Sequence, residues 1–290
     1  MKMSTKKVAF LGLGAMGSRM AKNILTAGFE LTAWNRSEAA GQALQALGAG
    51  LAKTPREAAA DADIVIAMVT DDQASEQIWC DAQNGALPVM KPGTIAIESS
   101  TLTPAWIAEL AKRAARYNLK LLDAPVSGSR PQADALQLVF MVGGDTEAFE
   151  EVRTVLEATG QVNHVGPTGH GSIFKLAVNS LLGIQTAAWA EMLGFLQKSG
   201  VNVTEALKLL TTMPVCSPAA AGQAKMMAAR SFMPLFPNAL LAKDYRYLQQ
   251  TAAALGTKTP ISNAASDVYQ AAATQMGHEN FNSVIRFYES

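Results

Sequence analysis

Cysteine is scarce in this sequence, since only Cys80 and Cys216 occur among its 290 residues. Two isolated thiols provide neither the disulfide framework of a small secreted protein nor a CxxC metal-binding pair. The sequence therefore predicts a protein of the reducing cytoplasm.

An excess of charge of either sign is also missing, because 24 Lys and Arg residues balance 24 Asp and Glu residues. We therefore expect no strongly basic face of the kind that binds nucleic acid or an anionic membrane surface. A small neutral or anionic ligand, held by a few local charges, is the better expectation. Only three histidines occur, without the spacing of metal ligands, so no metal site is expected either.

Long apolar runs without polar interruption are absent too. The most apolar stretch, residues 174–196, contains four residues that would be costly in lipid, namely Lys175, Asn179, Gln185 and Glu191. We therefore expect no membrane span. A helix that is apolar nearly all round is instead typical of the buried central helix of a helical domain.

Two patterns divide the chain near residues 166–171. Before this point short β-rich runs such as KVAFLG and ADIVIAMV alternate with helical segments, which favours βαβ units on a parallel sheet. From Ser172 onward the pattern is helical and is interrupted by prolines. The sequence predicts an α/β fold with a Rossmann-type, doubly wound parallel sheet in residues 1–166 and an all-helical domain in residues 167–290.

A glycine motif follows the first predicted strand. Gly12, Gly14 and Gly17 form GxGxxG between an apolar strand and a helix expected to begin near Ala15. In this context the glycines permit a tight turn, close approach to a pyrophosphate and close packing of helix on strand. The helix N-terminus offers N–H groups to the phosphates. The predicted cofactor loop also includes the residues between the glycines, Leu13, Ala15 and Met16. The alternative is a glycine-rich turn without a ligand.

The end of the second predicted strand bears on the choice of cofactor. Many NAD-binding proteins have a carboxylate here for the ribose 2′-OH, whereas this chain has Asn35, Arg36 and Ser37. Arg36 can pair with the 2′-phosphate of NADP, and its two neighbours can donate hydrogen bonds to it. The sequence predicts NADP(H), and the alternative is a solvated Arg36 in an enzyme that takes NAD as well.

Four stretches carry a resemblance to a known family: GLGAMGSRMAKNI, DAPVSGS, GHGSIFKLAVN and FPNALLAKD. In this order they strongly resemble the β-hydroxyacid dehydrogenase family, which includes 3-hydroxyisobutyrate dehydrogenase, tartronate semialdehyde reductase and glyoxylate/succinic semialdehyde reductase. WNRS, and the basic residue after PVSGS, are most similar to the last of these branches. The chain departs from many members at Ser129 and Leu136, where they have glycine; the first change bears on substrate shape and the second on the local backbone.

Lys175 is the candidate for proton transfer. It is the only cation between Ser172 and Leu196, where partial burial would disfavour the charged ammonium. Asn179 follows one helical turn later on the same face and can hold the substrate or orient the ammonium. The resemblance implies that Lys175 is the family's catalytic lysine and that Asn179 lines the substrate pocket. On spacing alone, Lys175 could extend to solvent from a buried helix and Asn179 could be a hydrogen-bonded core amide.

The segment Ser127, Gly128 and Ser129 follows a predicted strand and a proline. Its backbone N–H groups and two hydroxyls can converge on a carboxylate, although a plain β-turn is the alternative. The resemblance implies that this loop binds the acid end of the substrate.

Further cofactor contacts are expected at the ends of other strands. Met68 and Val69 end the run IVIAMV and are expected to face the nucleotide. Thr101 matches the cofactor-contacting threonine of the family. Its alternative role is the N-cap of a helix before Pro104, for which Thr103 is equally suitable.

Three residues of the predicted helical domain complete the candidate site. The resemblance implies that Phe236 packs at the closed active site, that Lys243 reaches cofactor and substrate, and that Asp244 belongs to the substrate site. Without the resemblance, AKDYR is an exposed helical charge cluster.

We therefore expect an NADP-dependent oxidoreductase that transfers a hydride to or from a small carboxylate-bearing hydroxy or aldehyde acid. Glyoxylate, succinic semialdehyde and tartronate semialdehyde represent the substrate class. The alternatives are an NAD-dependent dehydrogenase of the 3-hydroxyisobutyrate type and a non-catalytic NADP-binding protein. The apolar central helix also predicts a homodimer or homotetramer.

Overall fold

The computed structural model of the protein describes residues 6–289. The chain forms two compact units, one reaching to Lys175 and the other starting at Leu176. This division falls somewhat later than residue 166, the predicted end of the first domain. The reason is that Gly169 and Ser172 bond to Asp123, which joins the start of the long helix to the sheet.

The first unit is built on a nine-stranded sheet with the order β3-β2-β1-β4-β5-β6-β8-β7, in which β9 pairs with β8. Its strands are β1 (Lys7–Leu11), β2 (Glu30–Trp34), β3 (Gly50–Leu51), β4 (Ile64–Ala67), β5 (Ile95–Glu98), β6 (Lys120–Asp123), β7 (Val126–Ser127), β8 (Leu138–Gly143) and β9 (Gly160–Gly166). The order reverses between β1 and β4, as in a doubly wound sheet, so the predicted fold class is confirmed.

The sheet is not parallel throughout. Strands β1 to β6 pair in parallel, but β8 runs antiparallel to both β6 and β7. The chain returns from β7 through one short helix, whereas a parallel connection needs a longer crossover. This reversal was not predicted, and neither was the two-residue strand β3.

The described part of the first unit contains seven α-helices: α1 (Gly17–Thr26), α2 (Gln42–Gln45), α3 (Pro55–Ala59), α4 (Asp72–Cys80), α5 (Pro104–Ala115), α6 (Arg130–Asp134) and α7 (Thr146–Glu157). Alternate residues of the central strands enter two different cores, Phe10 and Ile66 on one face and Ala9 and Val65 on the other. This period of two explains why these strands are apolar throughout.

The helices from α8 onward are α8 (His170–Lys198), α9 (Val203–Leu210), α10 (Pro218–Ala228), α11 (Asn238–Ala254) and α12 (Pro260–Met276), followed by a 3₁₀ segment, Phe281–Tyr288. In the core of the second unit Tyr245 stacks on Tyr269 with 5.6 Å between ring centroids. Their hydroxyls donate to the carbonyls of Ser180 and Gly183 in α8, which satisfies both buried groups. Among the described residues, no helix has the length and apolarity needed to span a membrane.

Candidate active site

The glycine loop lies between β1 and α1, beside the point where the strand order reverses. Gly12 has φ +100°, and a side chain there would collide with the Met68 carbonyl oxygen at the end of β4. A side chain on Gly17 would collide with the Gly12 carbonyl oxygen. Close packing of the chain on itself therefore requires both glycines. The helix begins at Gly17, two residues later than the predicted start at Ala15.

Gly14 differs from the other two glycines. A Cβ at Gly14 would have no atom of the described chain within 4 Å beyond its two sequence neighbours, so the protein's own packing does not explain this glycine. Within residues 6–289 the backbone N–H groups of Gly14, Ala15 and Met16 make no hydrogen bond to the chain. These donors precede the N-terminus of α1, where the helix dipole favours negative charge. The loop therefore fits the pyrophosphate of a dinucleotide.

Asn35 ties the glycine loop to the end of β2. Its Oδ1 accepts a hydrogen bond from the Leu13 N–H at 2.9 Å, and its Nδ2 donates to the Ser37 carbonyl oxygen at 3.0 Å. Arg36 and Ser37 are exposed beyond the strand, and in the described chain no other group binds the Arg36 guanidinium. An unpaired cation therefore stands where a carboxylate would meet the ribose of NAD.

The loops after β4 and β5 are joined by a hydrogen bond. The Val69 N–H donates to Ser100 Oγ at 2.7 Å, and both Met68 and Val69 are half-buried. Thr103 is the N-cap of α5, because its hydroxyl accepts the Trp106 N–H at 3.1 Å. Thr101 is therefore not the helix cap, and it is half-buried in the loop after β5.

A buried carboxylate at the end of β5 stabilises this pair of loops. Glu98, the last residue of β5, accepts hydrogen bonds from Ser75 Oγ at 2.6 Å, from Trp79 Nε1 at 2.8 Å and from the Ser100 N–H at 3.0 Å. Burial raises the pKa of the Glu98 carboxyl, although the three donors oppose this effect. Glu98 thus holds Ser100, the residue that binds the Val69 amide.

The predicted substrate loop connects β7 to α6. Ser127 lies in β7, Gly128 is exposed, and Ser129 is the N-cap of α6. The Ser129 N–H donates to Gln132 Oε1 at 3.0 Å, so the helix start fixes the loop. Leu136, where the family resemblance leads one to expect glycine, has φ +59° and a strained backbone.

Asp123 is the principal site residue that sequence reasoning missed. It is fully buried at the end of β6, and its carboxylate accepts the N–H groups of Gly169 and Ser172, each at 2.7 Å. Burial raises the pKa of its carboxyl to about 6, against the opposing effect of these hydrogen bonds. Lys175 lies one turn after Ser172 in α8 and is buried.

In the second unit the structure brings Asn179, Lys243 and Asp244 together. Asn179 Nδ2 donates to Asp244 Oδ2 at 2.6 Å, and Lys243 Nζ lies 3.1 Å from Asp244 Oδ1. Lys243 Nζ also lies 4.8 Å from the ring centroid of Tyr247. All three side chains of the cluster are buried, so the interpretation of AKDYR as an exposed charge cluster is wrong.

Phe236 lies just before α11 and belongs to the same unit. Its ring packs edge-on against Phe281 with 5.6 Å between centroids, and its N–H donates to Asn280 Oδ1 at 2.8 Å. The ring is half-buried. Among the described residues no group of three His, Cys, Asp or Glu side chains is arranged to hold a metal ion.

A doubly wound sheet with a glycine loop at its switch point, followed by a helical unit, defines a dinucleotide-binding protein of the Rossmann class. Residues 7–169 match the NAD binding domain of 6-phosphogluconate dehydrogenase, and residues 169–288 match the NAD-binding domain of NADP-dependent 3-hydroxyisobutyrate dehydrogenase. The chain belongs to the β-hydroxyacid dehydrogenase family, NAD(P)-binding oxidoreductases that act on CH–OH donors.

Similar proteins cover nearly the whole chain. An NAD-dependent L-serine dehydrogenase of Pseudomonas aeruginosa is 34% identical over 97% of both chains. Glyoxylate/succinic semialdehyde reductase 2 of Arabidopsis thaliana is 30% identical over 98% of this chain and 79% of its own. The solved structure of Mycobacterium tuberculosis 3-hydroxyisobutyrate dehydrogenase with L-serine is 30% identical, has a TM-score of 0.91, and covers 99% of this chain and 100% of its own.

Proposed function

We propose that the protein is an NADPH-dependent reductase of small aldehyde acids of the glyoxylate, succinic semialdehyde and tartronate semialdehyde class. Residues 1–166 bind the dinucleotide, and residues 167–290 contribute to substrate binding and oligomerisation. The observation that carries the choice of cofactor is the exposed, unpaired Arg36 directly after β2. A guanidinium can form a bidentate pair with the 2′-phosphate, which NAD lacks.

The glycine loop binds the pyrophosphate through the N–H groups of Gly14, Ala15 and Met16. Asn35 supports this role because it fixes both Leu13 in the loop and Ser37 beside the adenosine end. The remaining cofactor contacts are the glycines at either end of the loop, Met68, Val69, Thr101 and Lys243.

When bound, the reduced nicotinamide supplies a hydride to the carbonyl carbon of the substrate. Negative charge then develops on the carbonyl oxygen, and Lys175 donates a proton to it. Asn179 presents its amide one turn later in α8 and binds substrate beside the lysine. Because Asp244 accepts a hydrogen bond from Asn179 Nδ2, the amide oxygen of Asn179 remains available to bind the substrate or the Lys175 ammonium.

The acid end of the substrate binds at Ser127, Gly128 and Ser129, where hydroxyls and exposed backbone can donate to a carboxylate. The family resemblance also assigns Phe236 and Asp244 to substrate binding. A carboxylate requirement would distinguish aldehyde acids from simple aldehydes.

A second candidate function is NAD-dependent oxidation of a β-hydroxy acid. It is favoured by the names of two similar proteins, the NAD-dependent L-serine dehydrogenase and the 3-hydroxyisobutyrate dehydrogenase solved with L-serine. Here Lys175 would accept the hydroxyl proton instead of donating one, so the same side chains serve both directions. Cofactor preference separates the two candidates.

The test is a matrix of initial rates: NADPH and NADH with glyoxylate and succinic semialdehyde, and NADP⁺ and NAD⁺ with L-serine and 3-hydroxyisobutyrate. The proposal expects the highest kcat/KM with NADPH and an aldehyde acid. It also expects Lys175→Ala to lose nearly all turnover while NADPH fluorescence titration shows unchanged binding. Faster turnover of L-serine with NAD⁺ would establish the second candidate, and NADPH binding without any turnover would indicate a non-catalytic binding protein.

We further propose that the protein assembles with itself through α8 and works in the cytoplasm. Leu181, Met192 and Phe195 are 60%, 45% and 63% exposed, and their spacing puts them on one face of this helix. A second copy of the chain can cover this apolar face. The two unpaired thiols, Cys80 and Cys216, support a reducing compartment.

A further inference from the structure

The start of helix α8 has an unusual cap. Its N-cap is Gly169, whose carbonyl oxygen accepts the Ile173 N–H at 3.1 Å, and glycine has no side chain with which to cap the helix. Two N–H groups of the first turn, those of Gly169 and Ser172, therefore need an acceptor from elsewhere in the chain.

Asp123 supplies that acceptor from the sheet. Oδ1 accepts the Gly169 N–H at 2.7 Å, while Oδ2 accepts the Ser172 N–H at 2.7 Å and the Ser172 hydroxyl at 3.1 Å. In a capping box two side chains bind the N-cap and N3 amides separately. Here one carboxylate binds both. Gly171 makes room for it, since a Cβ at Gly171 would lie only 2.9 Å from Asp123 Oδ2.

The position of Asp123 links two parts of the candidate site. It is the last residue of β6, and the chain leads from it within a few residues to Ser127 and the substrate loop. Its carboxylate binds the turn of α8 that immediately precedes Lys175. A single buried side chain thus connects the strand before the acid-binding loop to the helix that carries the proton donor.

We propose that Asp123 is a positioning residue, whose carboxylate holds the first turn of α8 on the end of β6 and thereby sets the place of Lys175 relative to the substrate loop. This inference rests on the proposed function for its effect on turnover. Its structural part, the anchoring of the helix start, does not depend on which substrate the protein uses.

The role of the carboxylate predicts a dependence on pH. Protonation replaces one acceptor by a donor and so loosens the hold on Gly169 or Ser172. The titratable side chains on the strands paired with β6, and in the first two turns of α8, are Glu98, His170 and Lys175. Glu98 is aligned with Asp123 in the neighbouring strand, but its carboxylate binds Ser75, Trp79 and Ser100 instead.

The test compares the full-length wild type with Asp123→Asn, which keeps the shape but points an amide NH₂ at one of the two N–H groups. We expect kcat to fall on the order of 100-fold, as for a small misplacement of a reacting group, with NADPH affinity unchanged. In the wild type, kcat should fall as the pH is lowered through about 6. This acid limb of the pH profile should be absent in Asp123→Asn. Glu98→Gln and His170→Asn should retain it.

Hydrogen–deuterium exchange provides a readout that needs no turnover. Asp123→Asn should speed exchange in peptides covering residues 169–175. The matched control is Asp145→Asn, the same change at the N-cap of α7, where Asp145 accepts the Ala148 N–H at 3.0 Å. It should alter exchange only around α7 and leave kcat and its acid limb unchanged.

The possible outcomes test the proposed function and the role of Asp123 separately. A wild type inactive on every substrate would overturn the proposed function, and the exchange data would still test Asp123. Unchanged exchange at residues 169–175 in Asp123→Asn would overturn the anchoring role. Normal kcat, or an acid limb that survives in Asp123→Asn, would overturn the positioning role even if the helix start exchanges faster.

Discussion

Asp244 accepts a hydrogen bond from the side-chain amide of Asn179 at 2.6 Å, across 65 residues of sequence. Because the carboxylate can only accept, it fixes Nδ2 of Asn179 on its own side and turns the amide oxygen away. The same carboxylate pairs with Lys243 at 3.1 Å. One buried acid therefore sets the orientation of two side chains that family resemblance assigns to the active site.

Replacing Asp244 by alanine should destabilise the helical unit strongly. The change removes the carboxylate that pairs with the buried Lys243 ammonium and accepts from the buried Asn179 amide, and breaking a buried pair in this way costs about 3 to 5 kcal/mol. Urea denaturation followed by circular dichroism measures the loss. Glu205→Ala breaks the exposed ion pair with Lys208 and should shift the urea midpoint little. Equal shifts for both variants would contradict the structural role of Asp244.

Replacing Arg36 by alanine should weaken NADPH binding without affecting NADH. Loss of a charge-assisted pair with the 2′-phosphate is expected to raise the Kd for NADPH on the order of 10- to 100-fold. Fluorescence titration with both cofactors measures the change. Arg116→Ala removes an exposed cation at the end of α5 and serves as the charge-matched control. A similar loss for NADPH and NADH would show that Arg36 does not bind the phosphate.

The contribution of Asp123 to the free energy of unfolding should increase as the pH is lowered. Its folded pKa is raised from 3.8 to about 6, so on acidification the native state takes up a proton before the unfolded chain does. Linkage then predicts that this group adds on the order of 2 kcal/mol to the free energy of unfolding between pH 7 and pH 4.5. The stability difference between wild type and Asp123→Asn should move in favour of the wild type over this range. Parallel stability curves for the two proteins would contradict the raised pKa.

Leu136→Gly should stabilise the protein. Leu136 has φ +59°, a left-handed conformation that costs a residue with a side chain about 1 kcal/mol, and its side chain is exposed. Thermal denaturation measures the gain. Leu47 is similarly exposed but has no positive φ, so Leu47→Gly should not stabilise. An equal change in Tm for both variants would remove the backbone explanation.

Phe195→Lys should convert the proposed assembly into a 30.6 kDa monomer. A charge on the exposed face of α8 would be buried against the second copy without a partner. Sedimentation velocity measures the mass, and Leu255→Lys adds the same charge at an exposed leucine outside α8. A wild-type monomer, or a Phe195→Lys variant with wild-type mass, would refute assembly through this face.

Local sequence patterns predicted much of the fold. The apolar runs around Phe10 and Ile66 specify buried strands because both faces of a doubly wound sheet are covered. The glycine motif specified its own turn, since Gly12 and Gly17 are required by contacts within a few residues and with one neighbouring strand. The antiparallel direction of β8 was not predicted. It depends on how the short connection through α6 leads the chain back into the sheet, and no local sequence pattern reports this.

The role of Asp123 could not be predicted from local sequence patterns. It depends on contacts with residues 46 and 49 positions away, which no periodicity reports. The orientation of Asn179 by Asp244 is hidden for the same reason. A usable signal did exist, since an acidic residue that ends an apolar strand needs hydrogen-bond donors, and a helix start flanked by glycines at 169 and 171 has no side chain of its own to cap its N–H groups.

The division of the chain within α8 bears on how such a protein can be recombined. Lys175 closes the first compact unit and Asn179 lies in the second, so a continuous helix joins the two. A chimera that exchanged the units between two relatives would take its lysine from one parent and its asparagine from the other. Inserting or deleting one residue at that junction would rotate the asparagine about 100° around the helix. Only grafts that preserve the helical phase across the junction would keep both side chains on one face.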